Sequence, residues 1–124
     1  MKKIISLVAI IAFMAFCGEK EQAQDEAGGA PQEPGKVVFD TTCMPCHGLT
    51  GEGDGPAGKN LNPKPRNFKT EPFKYGESLA AVTKTIAEGS PKAPTMVPFK
   101  NTLTPEQIDA VAKYVLKLAG KPVQ

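Results

Sequence analysis

Residues 43–48 read Cys43-Met44-Pro45-Cys46-His47-Gly48. Two cysteines three residues apart share one face of a helical turn, and a histidine follows directly. This C-x-x-C-H spacing is the attachment signature of c-type haem. Each sulfur can reach one vinyl group of the same porphyrin, and His47 can bind iron from the side of attachment. A dithiol redox site also carries C-x-x-C, but it needs a βαβ setting that this chain lacks. A structural zinc site wants four ligands. The only other cysteine is Cys17, close to the N-terminus, and His47 is the only histidine. One covalent haem c on Cys43, Cys46 and His47 is therefore the expected cofactor.

The second axial ligand follows by elimination. The methionines are Met1, Met14, Met44 and Met96. Met1 and Met14 lie in the N-terminal apolar segment, and Met44 is confined between the two attachment cysteines. Met96 is left, in the run Ser90-Pro91-Lys92-Ala93-Pro94-Thr95-Met96-Val97-Pro98-Phe99. Its prolines fix φ and stiffen the loop that presents the thioether. The alternative is that Met96 packs in the core, with a lysine or an open position at iron. His/Met ligation raises the reduction potential and leaves no free coordination site, which suits electron transfer better than catalysis.

Outward from the motif, three helices are expected. The first runs from about Gly35 into the attachment site. The second covers roughly Glu77 to Glu88, with Leu79, Val82 and Ile86 at helical spacing and Gly89 as terminator. The third opens with Thr104 as cap, Pro105 in the first helical position and Gln107 completing a capping box. Its apolar stripe is Ile108, Val111, Ala112, Val115 and Ala119, and Gly120 ends it. Lys113, Lys117 and Lys121 fall toward its C-terminal end, where cations are favoured. Between the first two helices lies a long Gly- and Pro-rich stretch. Such a loop is unusual in a small domain unless it wraps something. A haem covered by Leu61, Phe68, Phe73 and Phe99 would supply the missing interior.

The chain from about Gly35 to Ala119 resembles class I cytochrome c. Gly35 and Phe39 precede Cys43 at the spacing of the glycine and aromatic in that family's first helix. Tyr114 sits where the family places an aromatic in its last helix, and Met96-Val97-Pro98-Phe99 is similar to its ligand loop. The resemblance implies an all-α domain around one haem c with an exposed edge, attached on the outer side of the cytoplasmic membrane. The segment GEGDGPAGKNLNPKPRNF looks like a subgroup of small bacterial cytochromes, which occur as free-standing carriers and as subunits of respiratory or dehydrogenase complexes. In such a protein a proline carbonyl accepts from the ligand histidine, and Pro56, Pro63 and Pro65 are all candidates. Many relatives have a Trp near the haem propionates. This chain has none, and Arg66 either takes that role through two-point carboxylate geometry or is simply exposed.

The N-terminal residues are not domain material. Lys2 and Lys3 precede an apolar run from Ile4 to Phe16 broken only by Ser6, the layout of a secretory signal peptide. Its end, Met14-Ala15-Phe16-Cys17, is similar to the lipobox of bacterial lipoproteins, with Phe16 bulkier than the usual residue. Residues 1–17 are thus expected to be a signal peptide with Cys17 as the lipidation site. Ordinary cleavage near Ala15 and an uncleaved anchor are the alternatives. Residues 18–34 have no apolar periodicity and read as a flexible acidic linker, about 60 Å long when stretched. The cytochrome c domain then occupies residues 35–121, with a net charge of about +4 set by its lysines and arginine. That excess suits docking on acidic redox partners and is too dispersed for nucleic acid.

The expectation is a membrane-tethered electron carrier on the periplasmic side, serving respiratory or dehydrogenase complexes. The alternative is a gas sensor or peroxidase-like enzyme in which Met96 is displaced from iron.

Overall fold

The computed structural model describes residues 31–124. The expected signal segment, Cys17 and the linker as far as residue 30 lie outside the described residues. Within them the fold is all-α. The elements are α1 (Pro34–Val38), a π-helical turn (Phe39–Cys43), α2 (Met44–His47), α3 (Leu79–Glu88) and α4 (Pro105–Leu118). The only strand-like pairing among the described residues is a single bridge between Ser90 and Ala93. None of the described helices is long and apolar enough to cross a membrane.

The first helix runs into the attachment site as expected, but through a widened turn that periodicity does not announce. Met44 N–H reaches back five residues to the Phe39 carbonyl. Such π-bulges are confined to single turns and recur at functional sites. Pro34 opens α1 at a position where its missing N–H costs nothing. Its neighbour Glu33 pairs with Lys117 at 2.7 Å, so the end of the expected linker is joined to the domain.

Packing centres on α4, which lies against α1 on one side and α3 on the other. The α1 crossing is close because Gly35 has no side chain. A Cβ there would stand 2.1 Å from the Ala110 carbonyl oxygen and 2.9 Å from Tyr114 Cβ. Phe39 is fully buried, with its ring 5.3 Å from that of Tyr114. Contact on two sides makes the buried arc of α4 wider than a single stripe: Tyr114 and Leu116 join Ile108, Val111, Ala112 and Val115 in the core, while Ala119 is only half-buried.

The capping box of α4 forms as read from its residues. Thr104 Oγ1 accepts from Gln107 N–H at 3.2 Å, and the Gln107 side chain accepts from Thr104 N–H at 2.9 Å. Helix α3 starts two residues later than expected because Ser78 caps it, its hydroxyl accepting from Ala81 N–H at 3.2 Å. Gly89 ends α3 with φ of 77°, and the Ile86 and Ala87 carbonyls are taken by the amides of Phe99 and Lys100. Chain beyond residue 121 also packs, since Leu79 N–H donates to the Gln124 carbonyl at 3.1 Å. Lys113 and Lys117 of α4, and Lys121 just beyond its end, make ion pairs with Asp109, Glu33 and Glu77. They therefore act by pairing as well as through the helix dipole.

Candidate functional site

One turn of helix carries the chemistry, and alone it could not persist, since isolated short helices are unstable in water. The loop that follows holds it. Gly48, Ala57 and Gly53 donate their amides to the carbonyls of Met44, Pro45 and His47 at 2.9, 2.8 and 2.8 Å. These are the acceptors a helix C-terminus leaves without internal partners. The loop lies flat on the turn because two residues lack side chains. A Cβ on Gly55 would stand 2.5 Å from the Pro45 oxygen, and one on Gly58 would stand 2.2 Å from the Cys46 oxygen.

Beside this turn is a mainly apolar cleft of about 410 Å³, within the usual range for small-molecule sites. Cys43, Cys46, His47, Arg66 and Met96 all line it, and so do Leu61, Phe68, Phe73 and Phe99. Every site residue predicted within residues 31–124 is thus brought to one cleft. Both thiols are free and half-buried. Burial pushes the Cys43 thiol up to about 11, with the Cys46 sulfur adding to the shift.

His47 is pushed below the usual imidazole range by burial; the Arg66 backbone opposes the shift and the Arg66 charge adds to it. No hydrogen bond of standard geometry forms there: Nδ1 is buried without a partner among the described residues. The backbone that influences His47 is that of Arg66, next to Pro65, and none of Pro56, Pro63 or Pro65 makes the expected bond. The imidazole instead lies against the ring of Phe68, centroids 4.7 Å apart and planes 19° from parallel.

Met96 is held from both sides of its peptide. Its N–H donates to the Ala93 carbonyl at 2.8 Å, and its carbonyl accepts from Ser90 N–H at 3.0 Å. Gly89 lets this loop fold back tightly, since a Cβ there would stand 2.7 Å from the Met96 oxygen. Tyr75 was not singled out from the sequence, yet its hydroxyl contacts Ser90 Oγ at 3.2 Å and accepts from Lys92 N–H at 3.2 Å. It ties the Met96 loop to the chain after Phe68. The Arg66 side chain is only 16% exposed and pairs with Glu71 at 3.5 Å, while also donating to the Pro72 carbonyl. It is sheltered rather than free in solvent, and its planar fork has further donors to offer.

Haem c fits these residues. Two thiols on one turn, an adjacent half-buried imidazole and an apolar cleft match what covalent attachment of haem c requires, and the backbone-anchored thioether of Met96 lines the same cleft. A zinc centre does not fit, because no group of three or more His, Cys, Asp or Glu gathers among the described residues.

Comparison with known proteins agrees. The family model described as cytochrome c matches residues 32–119. A cytochrome c6 of Nostoc sp. is 35% identical, covering 94% of this chain and 93% of its own. A cytochrome c6 of Gloeothece citriformis is 36% identical, covering 98% of both chains. The cbb3-type cytochrome c oxidase subunit FixP of Sinorhizobium medicae is 32% identical over 73% of this chain, which spans only 31% of that subunit's length. Among solved structures, a chain of a reducing HAO-like protein complex from Kuenenia stuttgartiensis superposes with a TM-score of 0.63 at 37% identity. That match covers 71% of this chain and 42% of the other. Cytochrome c6C from Synechococcus sp. PCC 7002 superposes with a TM-score of 0.52 at 28% identity, covering 69% of this chain and 94% of the other.

Proposed function

The chain belongs to the cytochrome c family as a monohaem class I member with one covalently attached haem c, and we propose that it carries single electrons with His47 and Met96 as the axial ligands. The observation that carries this reading is the cleft that brings His47 and Met96 together with the cysteine pair. Bound there, the haem supplies a one-electron iron couple. The residues do the rest. Cys43 and Cys46 would fix the cofactor through thioethers, His47 and Met96 would bind its iron, and the apolar wall would keep water from the ring. Arg66 would hold a propionate with the donors that Glu71 and Pro72 leave unused.

Replacing Met96 by alanine tests the ligand assignment. The ferric protein should lose the weak long-wavelength band that thioether–iron ligation gives, and the reduction potential should fall by on the order of 0.1 V, given that axial ligands set haem potentials over about 0.8 V. A variant with unchanged spectrum and potential would remove Met96 from the iron.

The setting we propose is the periplasmic side of a bacterial membrane, with Cys17 lipidated and residues 18–34 as the tether. A tether replaces bulk diffusion by a local concentration that can reach the millimolar range, so weak and fast docking suffices. The net positive charge of the domain, with Lys64 and Lys74 lining the cleft, favours partners with acidic docking surfaces. The FixP relatives are subunits of cbb3-type oxidases, and a respiratory oxidase or dehydrogenase is the partner class we propose. Cell fractionation of Cys17→Ser checks the tether: the protein should move from the membrane to the soluble fraction, and retention in the membrane would contradict it.

A further inference from the structure

The loop that presents Met96 is thinly held. Pro91, Pro94 and Pro98 fix φ along it but carry no N–H, so few backbone donors are left between Ser90 and Pro98. Three of those that remain close the loop on itself. Ser90 N–H donates to the Met96 carbonyl at 3.0 Å, Ala93 N–H to the Ser90 carbonyl at 3.0 Å, and Met96 N–H to the Ala93 carbonyl at 2.8 Å. Residues 91–98 are all exposed or half-buried. A segment with solvent-exposed hydrogen bonds and few buried contacts opens at low free-energy cost, and a thioether carried on it moves with it.

Tyr75 joins this loop to the opposite wall of the cleft. Its hydroxyl accepts from Lys92 N–H at 3.2 Å, and its own proton is then free for Ser90 Oγ, also at 3.2 Å. Among the described residues these are the only hydrogen bonds between residues 90–98 and the chain before α3. The tyrosine stands on a fixed base. Phe73, two residues earlier, stacks on Phe68 at 5.7 Å with planes 4° apart, and Phe68 in turn lies against His47. The Pro72 carbonyl accepts from the Arg66 side chain. Tyr75 and Met96 line the same cleft. One hydroxyl therefore bridges the wall that carries His47 and the wall that carries Met96.

We propose that Tyr75 is a positioning residue for Met96, a clasp whose hydroxyl keeps the ligand loop closed against exchange with outside ligands. The proposal rests on the reading of Met96 as an axial ligand. Tyr75 acts through the loop, since its hydroxyl meets Ser90 and Lys92 and not the thioether. Phenylalanine in its place keeps a ring beside the cleft and loses both bonds. Two neutral hydrogen bonds at an exposed position together shift an opening equilibrium by roughly tenfold.

Imidazole binding to the ferric holoprotein tests this, because an added ligand enters only when the loop opens. At a fixed excess of imidazole, the spectral change should be roughly tenfold faster in Tyr75→Phe than in the native protein. Ser90→Ala removes one of the two bonds and should speed binding by less. The two substitutions share one interaction and should not add: in the Tyr75→Phe background, Ser90→Ala should change the rate no further. A general loss of stability moves the unfolding midpoint and leaves the two effects additive. An unchanged rate in Tyr75→Phe would overturn the proposal, as would a Ser90→Ala effect that persists in full in the Tyr75→Phe background. If instead Met96 is not the ligand, the native ferric protein lacks the weak long-wavelength thioether band. That failure is seen before any variant is made, and the proposal falls with it.

Discussion

Replacing Cys43 and Cys46 together by alanine abolishes covalent haem: after denaturing electrophoresis the variant shows no haem stain, and its mass is that of the polypeptide alone. Both sulfurs are free and line the cleft, and they share one face of the attachment turn. They are the only cysteines in the domain, since Cys17 lies well before it. No other side chain can form a thioether, so nothing survives denaturation once both are gone. Each single variant retains one bond and gives a weaker stain. Denaturant-resistant haem in the double variant would contradict the assignment of the attachment site.

The second large effect is on stability and arises far from the cleft. Gly35→Ala adds one methyl group at the α1–α4 crossing, where a Cβ would stand 2.1 Å from the Ala110 oxygen and 2.7 Å from its carbonyl carbon. Both obstacles are backbone and cannot rotate away, so the helices must separate. Over-packing of this kind costs about 1–3 kcal/mol, and the upper end applies when backbone has to move. For a domain of this size each kcal/mol lowers the melting temperature by roughly 4–8 °C. A fall on the order of 10–20 °C is therefore expected, measured by thermal unfolding of the holoprotein. Phe39 and Tyr114 meet at the same crossing, so their near-ultraviolet dichroism should change as well. A midpoint within a degree or two of native would show that the crossing is looser than described.

Much of this site is legible in the residues because its chemistry is local. The attachment motif is contiguous, and its spacing alone places both sulfurs and the imidazole on one turn. The cap of α4 is equally local: Thr104, Pro105 and Gln107 lie within four positions and form the expected box. What escapes the sequence depends on distant chain. The start of α3 moves to Leu79 because the Ser78 hydroxyl competes successfully for the first turn. The π-helical turn at Phe39–Cys43 spans only five residues, too few to leave a trace in an apolar pattern. Arg66 could be named as a propionate partner, but its pairing with Glu71 and Pro72 depends on how the loop folds back. The expected proline carbonyl does not pair with His47 at all. The backbone that acts on His47 is that of Arg66, and its approach depends on how the loop folds back. Tyr75 likewise gains meaning only when Ser90 and Lys92 are brought to it.

The central claim is that iron in this protein is closed on both sides and exchanges electrons rather than ligands. Mixing the chemically reduced holoprotein with carbon monoxide at neutral pH, while following the absorption spectrum, tests it most directly. The account predicts an unchanged spectrum over minutes in the native protein and prompt formation of the carbonyl complex in Met96→Ala. Prompt binding by the native protein would show an open or readily vacated position, and would make the protein a ligand-binding haem sensor or enzyme instead of a carrier.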